Sequence, residues 1–200
     1  MNGDLTSFAA VILAGGQGAR MGGVDKASIE LDGRSLLEHA LDAVVDASEV
    51  VVVGDLVPTE RPVTFVREDP RHGGPVAALL TGRDLLLRRF PRIVVLAVDM
   101  PRLTSATFRR LSEAAPGHDG AVLVGPDGRR QLAMLLDLAR LDAVAPPLEE
   151  RYGAALRTLL APLDLAEVTS IGAEWRDVDT WTDLRDLADP DADSSPNDPG

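Results

Sequence analysis

A glycine-rich stretch near the amino end holds the residues best suited to chemistry. It begins at the end of the apolar run 8–13 and reads LAGGQGARMGGVDKA over residues 13–27. Glycines let backbone N–H groups approach anionic oxygens without interference from a Cβ atom. Arg20 and Lys26 add positive charge to the same stretch, which suits a polyphosphate. The sequence therefore predicts a phosphate-binding loop, with a tight turn between a strand and a helix as the alternative.

The spacing of this stretch excludes the two commonest glycine-rich nucleotide loops. A dinucleotide-binding fingerprint needs a third glycine where Met21 stands. A Walker A loop needs glycine directly before its lysine and Ser or Thr after it, but Asp25 and Ala27 flank Lys26.

Carboxylates stand at two further positions where a ligand could bind. Asp99 directly follows the apolar run 92–98, and Asp177 and Asp179 alternate just before the last amphipathic segment. Carboxylate oxygens are the ligands that Mg²⁺ prefers, and alternate residues of an extended segment point the same way. The alternative is that Asp99 and Asp179 cap or turn the chain into the helices that follow them.

The elements that must position these residues alternate along the chain. Strand-length apolar runs at 8–13, 49–53, 63–66 and 92–98 alternate through residue 115 with amphipathic segments typical of helices. Helices are predicted at 35–45, 75–89, 104–115, 138–144, 153–160 and 180–187, and later strands at 120–124, 131–136 and 165–170. This order predicts an α/β fold in three layers, with a mostly parallel central sheet and helices on both faces. Ligands of such sheets bind beyond the carboxyl ends of the strands.

Composition limits the classes of protein and partner. The 200 residues are 45% hydrophobic, which suits a single domain, predicted at 1–188. The remaining residues, 189–200, read DPDADSSPNDPG, a composition typical of a disordered acidic tail. The net charge of −12 argues against a nucleic-acid partner, and the chain has no cysteine and no apolar run long enough for a membrane span. We therefore expect a cytoplasmic protein that binds neither nucleic acid nor membrane.

The glycine-rich stretch resembles the signature of the molybdenum cofactor guanylyltransferases, a family within the Rossmann-like nucleotidyltransferase superfamily. The matching parts are Leu-Ala-Gly-Gly at 13–16, Arg-Met-Gly at 20–22 and Asp-Lys-Ala at 25–27. Relatives that transfer cytidylyl groups usually show Ala-Ala-Gly at the start and lack the Asp at position 25. The resemblance extends over nearly all of residues 8–188.

The resemblance implies a function and a set of site residues. The implied reaction transfers GMP from GTP to molybdopterin and releases pyrophosphate, with Mg²⁺ as cofactor and transient contact with molybdoenzymes or cofactor-synthesis proteins. Implied catalytic residues are Arg20, Lys26 and Asp99, and implied metal ligands are Asp99 and Asp179. The implied nucleotide-binding residues are Leu13, Ala14, Gly15, Gly16, Lys26, Asp69, Gly74 and Asp99.

The sequence also departs from the family pattern. Asp177 and Asp179 stand where the family usually has asparagine, and Trp181 replaces a proline. Aspartates at those two positions occur in cytidylyltransferase relatives. After Gly74-Pro75 only the middle residue of the usual Leu-Ala-Gly is kept. The alternatives are therefore a related transferase that uses CTP or another phosphorylated acceptor, or a nucleotide-binding protein without catalysis.

Overall fold

The computed structural model of the chain describes residues 7–15, 17–18 and 21–189. The strands are β1 (Phe8–Leu13), β2 (Gln17–Gly18), β3 (Val24–Asp25), β4 (Glu30–Leu31), β5 (Arg34–Ser35), β6 (Glu49–Val53), β7 (Thr64–Val66), β8 (Arg92–Ala97), β9 (Gly120–Val124), β10 (Arg130–Asp137) and β11 (Leu165–Thr169). The α-helices are α1 (Leu36–Ala43), α2 (Pro75–Asp84), α3 (Ser105–Ala114), α4 (Leu138–Val144), α5 (Leu156–Leu160) and α6 (Trp181–Ala188). Short 3₁₀ turns cover Lys26–Ser28 and Leu148–Glu150.

Seven strands form the central sheet, in the order β11-β9-β10-β8-β1-β6-β7. Strand β10 runs antiparallel to β8 and β9, and the other four neighbouring pairs are parallel. The remaining strands form two small two-stranded ribbons, β2-β3 and β4-β5. The predicted fold class, with a mostly parallel sheet, is confirmed.

Helices cover both faces of the sheet, so strand β1 is buried on both sides. Its residues Ala10 and Ile12 belong to an apolar cluster that includes residues of α1, α3 and α6. Val11 and Leu13 belong to a second cluster that includes residues of α2, α4 and α5. Successive strand residues point to opposite faces, which explains why β1 is apolar throughout rather than alternating.

Several helix starts agree with the sequence, because local side chains cap them. The Ser35 hydroxyl accepts a hydrogen bond from Glu38 N at 3.1 Å at the start of α1. The Thr180 hydroxyl accepts one from Asp183 N at 3.1 Å at the start of α6. Thr104 is the N-cap residue of α3, as predicted. Such caps satisfy N–H groups that lack a partner inside the helix.

Two helices are shorter than the sequence predicts, and contacts between distant segments explain both. Helix α2 ends at Asp84, and beyond it Leu87 N donates to the Glu49 carboxylate at 2.7 Å instead of continuing the helix. Helix α5 begins only at Leu156, because Gly153 has a left-handed φ of 69°, with its N–H donated to Gly73 O at 2.8 Å. Periodicity alone does not show such contacts.

Two further expectations concern the ends of the chain and membranes. In the described part of the chain, no helix is long and apolar enough to cross a membrane. The predicted acidic tail, apart from Asp189, lies outside the described residues.

Candidate active site

Several of the predicted site residues that the structure describes lie at one edge of the central sheet. Strands β1, β6, β7 and β8 are parallel neighbours, so their carboxyl ends lie at the same edge. The glycine-rich stretch leaves this edge from β1, and Asp99 follows β8. Val98 N donates to Leu13 O at 3.0 Å, which holds the ends of these two strands together. This edge is where open α/β sheets bind their ligands.

Lys26 lies at the centre of this edge and contacts both predicted metal ligands. Its Nζ donates to Asp99 Oδ2 at 2.9 Å and to Asp179 Oδ1 at 2.6 Å. The lysine is buried, with 9% of its surface exposed. Three predicted residues from distant parts of the chain therefore form one ion cluster, hereafter the Lys26 cluster. The two carboxylate oxygens lie no farther apart than the combined length of those two hydrogen bonds.

Backbone contacts hold the three members of the Lys26 cluster independently of one another. The Asp25 carboxylate accepts from Ala27 N at 3.1 Å and so fixes the 3₁₀ turn that begins at Lys26. Asp99 O accepts from Val178 N at 2.8 Å, which ties the end of β8 to the segment before α6. Asp179 N donates to the Asp183 carboxylate at 3.1 Å within the cap of α6. These contacts therefore hold in position the segments that carry the charged side chains of the Lys26 cluster.

The electrostatics of the cluster favour a charged lysine among acids. Burial by itself lowers the pKa of Lys26, but its hydrogen bonds to Asp179 and Asp99 and their negative charges outweigh that effect and raise the pKa above its usual value. The pKa of Asp177 is raised, first by partial desolvation and then by repulsion from Asp179 and Asp99. The negative charges of Asp179 and Asp99 therefore also act on Asp177, although the side chain of Asp177 is exposed to solvent.

The composition also distinguishes Lys26, in a way that the spacing of the motif does not. Lys26 is the only lysine among the 20 lysine and arginine residues of the chain; all the others are arginines. An ammonium is a compact charge on a flexible stem, whereas a guanidinium is a planar fork. The single lysine thus stands where two carboxylates share one cation.

An open cavity of about 340 Å³ adjoins the cluster. Its walls come from the segments 14–15, 23–25, 53–55, 67–68 and 71–72, which follow β1, β6 and β7 or belong to the glycine-rich stretch. Asp25 lines the cavity, and Lys26 is the next residue. Cavities of this size accommodate small organic ligands.

Of the other predicted nucleotide-binding residues that the structure describes, two line this cavity. Ala14 and Gly15 line it, and Leu13 ends β1 directly before them. Asp69 is exposed and is not among the lining residues, whereas its neighbour Glu68 is. Gly74, with φ of 89°, is the N-cap of α2. Gly16 and Arg20 lie outside the described residues.

The cluster has the chemistry of a magnesium site, but only a partial one. Asp99 and Asp179 offer hard oxygen donors that converge on a point already held by a cation, the Lys26 ammonium. Within residues 7–15, 17–18 and 21–189 no group of three or more His, Asp or Glu side chains could hold a metal. Mg²⁺ is typically bound through one or two carboxylates plus phosphate oxygens and water. Two carboxylates beside the predicted phosphate-binding stretch fit that pattern.

A buried carboxylate, which the sequence did not reveal, anchors the loop that leads to Asp177 and Asp179. Glu174 is 7% exposed and accepts from Thr107 Oγ1 and Arg110 Nη2, each at 2.6 Å, and from Ile171 N at 2.7 Å. These contacts fix the loop before Asp177 to helix α3. No local spacing links positions 107 and 110 to position 174, so only the fold shows the pair.

The Glu174 network generates a prediction on stability against pH. Burial alone raises the pKa of Glu174, but the hydrogen bonds from Arg110, Thr107 and Ile171 N outweigh it and hold the pKa below its usual value of 4.5. A carboxylate with a depressed pKa stabilises the fold above its unfolded pKa, and this stabilisation is lost as pH falls through the folded pKa. Glu174→Gln should therefore cost about 1–3 kcal/mol at pH 7. The cost should shrink as pH falls below about 4.5.

Urea unfolding at several pH values measures this difference. Glu113→Gln is the matched control, because Glu113 is an exposed carboxylate on the same helix. A Glu174→Gln cost that stays constant from pH 7 to pH 3 would contradict the role assigned to the network.

Comparisons with known proteins show the family of the chain. A family model described as the MobA-like NTP transferase domain matches residues 10–168. A molybdenum cofactor guanylyltransferase from Pseudomonas entomophila is 34% identical over 154 residues, which are 74% of this chain and 78% of that protein. One from Acidiphilium cryptum is 38% identical over 141 residues, which are 68% and 69% of the two chains.

Solved structures show the same fold. Rv0371c from Mycobacterium tuberculosis H37Rv superposes with a TM-score of 0.70 at 20% identity over 92% of this chain and 99% of its own. A second structure of Rv0371c, in complex with manganese, has a TM-score of 0.67 at 19% identity over 92% and 98% of the two chains. The sequence-based family prediction is confirmed: the chain belongs to the MobA-like NTP transferase family and is a nucleotidyltransferase.

Proposed function

We propose that this nucleotidyltransferase transfers GMP from GTP to molybdopterin and releases pyrophosphate. The observation that carries the proposal is the Lys26 cluster beside the cavity, where one cation and two carboxylates face the end of the phosphate-binding stretch. The names of the relatives support a guanylyl group as the group transferred and the molybdenum cofactor as its acceptor. The reaction would take place in the cytoplasm, with transient contacts to enzymes that make or receive the cofactor.

The reaction requires no protein nucleophile. A terminal phosphate oxygen of molybdopterin attacks the α-phosphorus of GTP, and the bond from that phosphorus to the oxygen bridging to the β-phosphate breaks. Pyrophosphate leaves with the electron pair of that bond. The attacking phosphate is already anionic, so catalysis consists of positioning and charge neutralisation.

Each residue of the site has a role in that positioning. In this proposal the backbone N–H groups of the glycine-rich stretch bind the triphosphate, and Lys26 and Arg20 bind the phosphates that leave. Asp99 and Asp179 hold Mg²⁺, which when bound supplies positive charge beside the α-phosphate. The convergence of both carboxylates on one cation supports this assignment.

We assign the base to the cavity and its recognition to Asp69, which lies in the same loop as the lining residues Glu68 and Arg71. A carboxylate accepts two hydrogen bonds from the N1–H and the exocyclic amine of guanine, a pair of donors that cytosine lacks. Asp69 N donates to Thr81 Oγ1 at 3.0 Å, which ties the backbone of this loop to α2. The loop is therefore anchored where it would meet the base.

A panel of nucleotides tests the reaction. Pyrophosphate release is measured with GTP, CTP, ATP and UTP, each with Mg²⁺ and each with and without molybdopterin. GTP with molybdopterin should be turned over about 100-fold faster than any other pair, because a site built for a hydrogen-bonded edge rejects analogues that leave its groups unpaired. Faster turnover of CTP, or tight binding of GTP without turnover on the pterin, would refute the proposal.

Substitution of two neighbouring carboxylates shows which of them recognises the base. Asp69→Asn should lower kcat/KM for GTP by about 100-fold, since one hydrogen-bond acceptor becomes a donor facing a donor. Glu68→Gln removes the same charge from a residue that lines the cavity, and should change kcat/KM by less than about threefold. The reverse order of effects would move the base contact from Asp69 to Glu68.

The metal role of Asp99 gives a further prediction. Asp99→Asn keeps the shape of the side chain but removes a charged ligand, so kcat should fall by at least about 100-fold. Circular dichroism and thermal unfolding should show a folded protein. Asp186→Asn, which changes an exposed carboxylate on α6, is the control and should retain turnover. Normal turnover in folded Asp99→Asn would exclude the metal role.

A further inference from the structure

We propose that Lys26 is an exchangeable internal counter-ion, which pairs with Asp99 and Asp179 until Mg²⁺ and nucleotide enter and then transfers to the triphosphate. This inference rests on the proposed function, because it takes the two carboxylates as metal ligands and the triphosphate as ligand. It adds that metal and nucleotide bind as a coupled pair, with Lys26 as the group that couples them.

Geometry makes the lysine and the metal alternatives. The ammonium lies 2.9 Å from Asp99 Oδ2 and 2.6 Å from Asp179 Oδ1, so it occupies one oxygen of each carboxylate that we assign to the metal. Mg²⁺ binds carboxylate oxygens at about 2.0–2.1 Å. A metal that used these same two oxygens would lie so close to the ammonium that the two cations would repel each other strongly, so in the proposed exchange the ammonium leaves when the metal takes its place.

The displaced ammonium then needs new partners. Lys26 is buried, and a buried ammonium without hydrogen-bond acceptors is costly because it has three N–H donors to satisfy. The phosphate oxygens of a nucleotide supply acceptors and negative charge beside the same loop. Metal alone therefore binds weakly, and metal together with a triphosphate binds well.

The carboxylates do not have to move during the exchange. Val178 N holds Asp99 O at 2.8 Å, and Asp183 accepts from Asp179 N at 3.1 Å and from Thr180 N at 2.7 Å. Neither anchor involves Lys26. The acidic half of the site is therefore built by the backbone, and only the flexible lysine side chain changes partners.

The type of residue at this position fits an exchange. Every other basic side chain among the lysines and arginines of the chain is arginine, including those in exposed ion pairs such as Arg130 with Glu167. A guanidinium matches one carboxylate through two parallel hydrogen bonds, whereas an ammonium distributes three rotatable donors among separate oxygens. Lysine suits a cation that must serve two different sets of acceptors.

Metal binding without nucleotide is the first test. Mn²⁺ binding is followed by electron paramagnetic resonance for the wild type and for Lys26→Met, both without GTP. Because the competing cation is gone, Lys26→Met should bind Mn²⁺ about tenfold more tightly or better. Arg140→Met is the control, since Arg140 pairs with Asp119 next to the amino ends of β9 and β11, at the opposite edge of the sheet.

The outcomes of this test separate the two proposals. Equal or weaker Mn²⁺ binding by Lys26→Met overturns the exchange, and so does an equal gain in Arg140→Met, which would indicate a general effect of net charge. Neither result depends on GMP transfer. Loss of transfer specificity in the nucleotide panel would overturn the proposed reaction and leave this result intact.

The single lysine permits a second test on the unaltered protein. Protein labelled with [ε-¹³C]lysine gives one lysine signal in carbon NMR, since Lys26 is the only lysine of the chain. The signal should shift when Mg²⁺ and GTP are added together, and calorimetry on the same sample verifies that nucleotide is bound. An unshifted signal in nucleotide-saturated protein overturns the exchange, even where Lys26→Met does not fold.

Discussion

One constraint shapes this site: a buried ammonium and two carboxylates must neutralise one another at the edge of the sheet. A buried charge is tolerated only when it is paired and hydrogen-bonded, and two carboxylates so close together repel unless a cation lies between them. Lys26, Asp99 and Asp179 satisfy both conditions together. The cluster therefore joins three distant parts of the chain, and its geometry is correct only when the sheet and both connections are in place.

The sheet makes that geometry possible by putting strands β1 and β8 side by side. Their ladder pairs Phe8 with Arg92 and Leu13 with Ala97, so the two strands end in register. The phosphate-binding stretch and Asp99 then start from adjacent points on a rigid edge. A seven-stranded sheet covered on both faces cannot easily shift its register, because its core residues would move out of the apolar clusters. Rigidity in the backbone leaves the motion to the side chains.

The sequence predicted most of the fold and the centre of the site, for identifiable reasons. The runs that became β1 and β8 are apolar because both faces are buried. Lys26 belongs to a specific motif, Asp99 follows β8, and Asp179 stands just before α6. The incorrect helix ends and the missed Glu174 network arise instead from contacts between residues distant in sequence. Glu49 ends α2 early and Gly73 delays α5 through hydrogen bonds to residues far away in sequence, and Glu174 pairs with α3 in the same way. Such contacts leave no periodic pattern.

The departure from the family pattern at Asp179 and the buried lysine are connected. A carboxylate at this position carries a full negative charge where the family's usual asparagine carries none. With Asp99 and Asp177 nearby, that charge increases the attraction for a divalent cation and also the repulsion among the acids when no such cation is present. Lys26 offsets that repulsion, and its raised pKa shows that the acids in turn stabilise its charge. A site with this many acids therefore depends strongly on its one lysine.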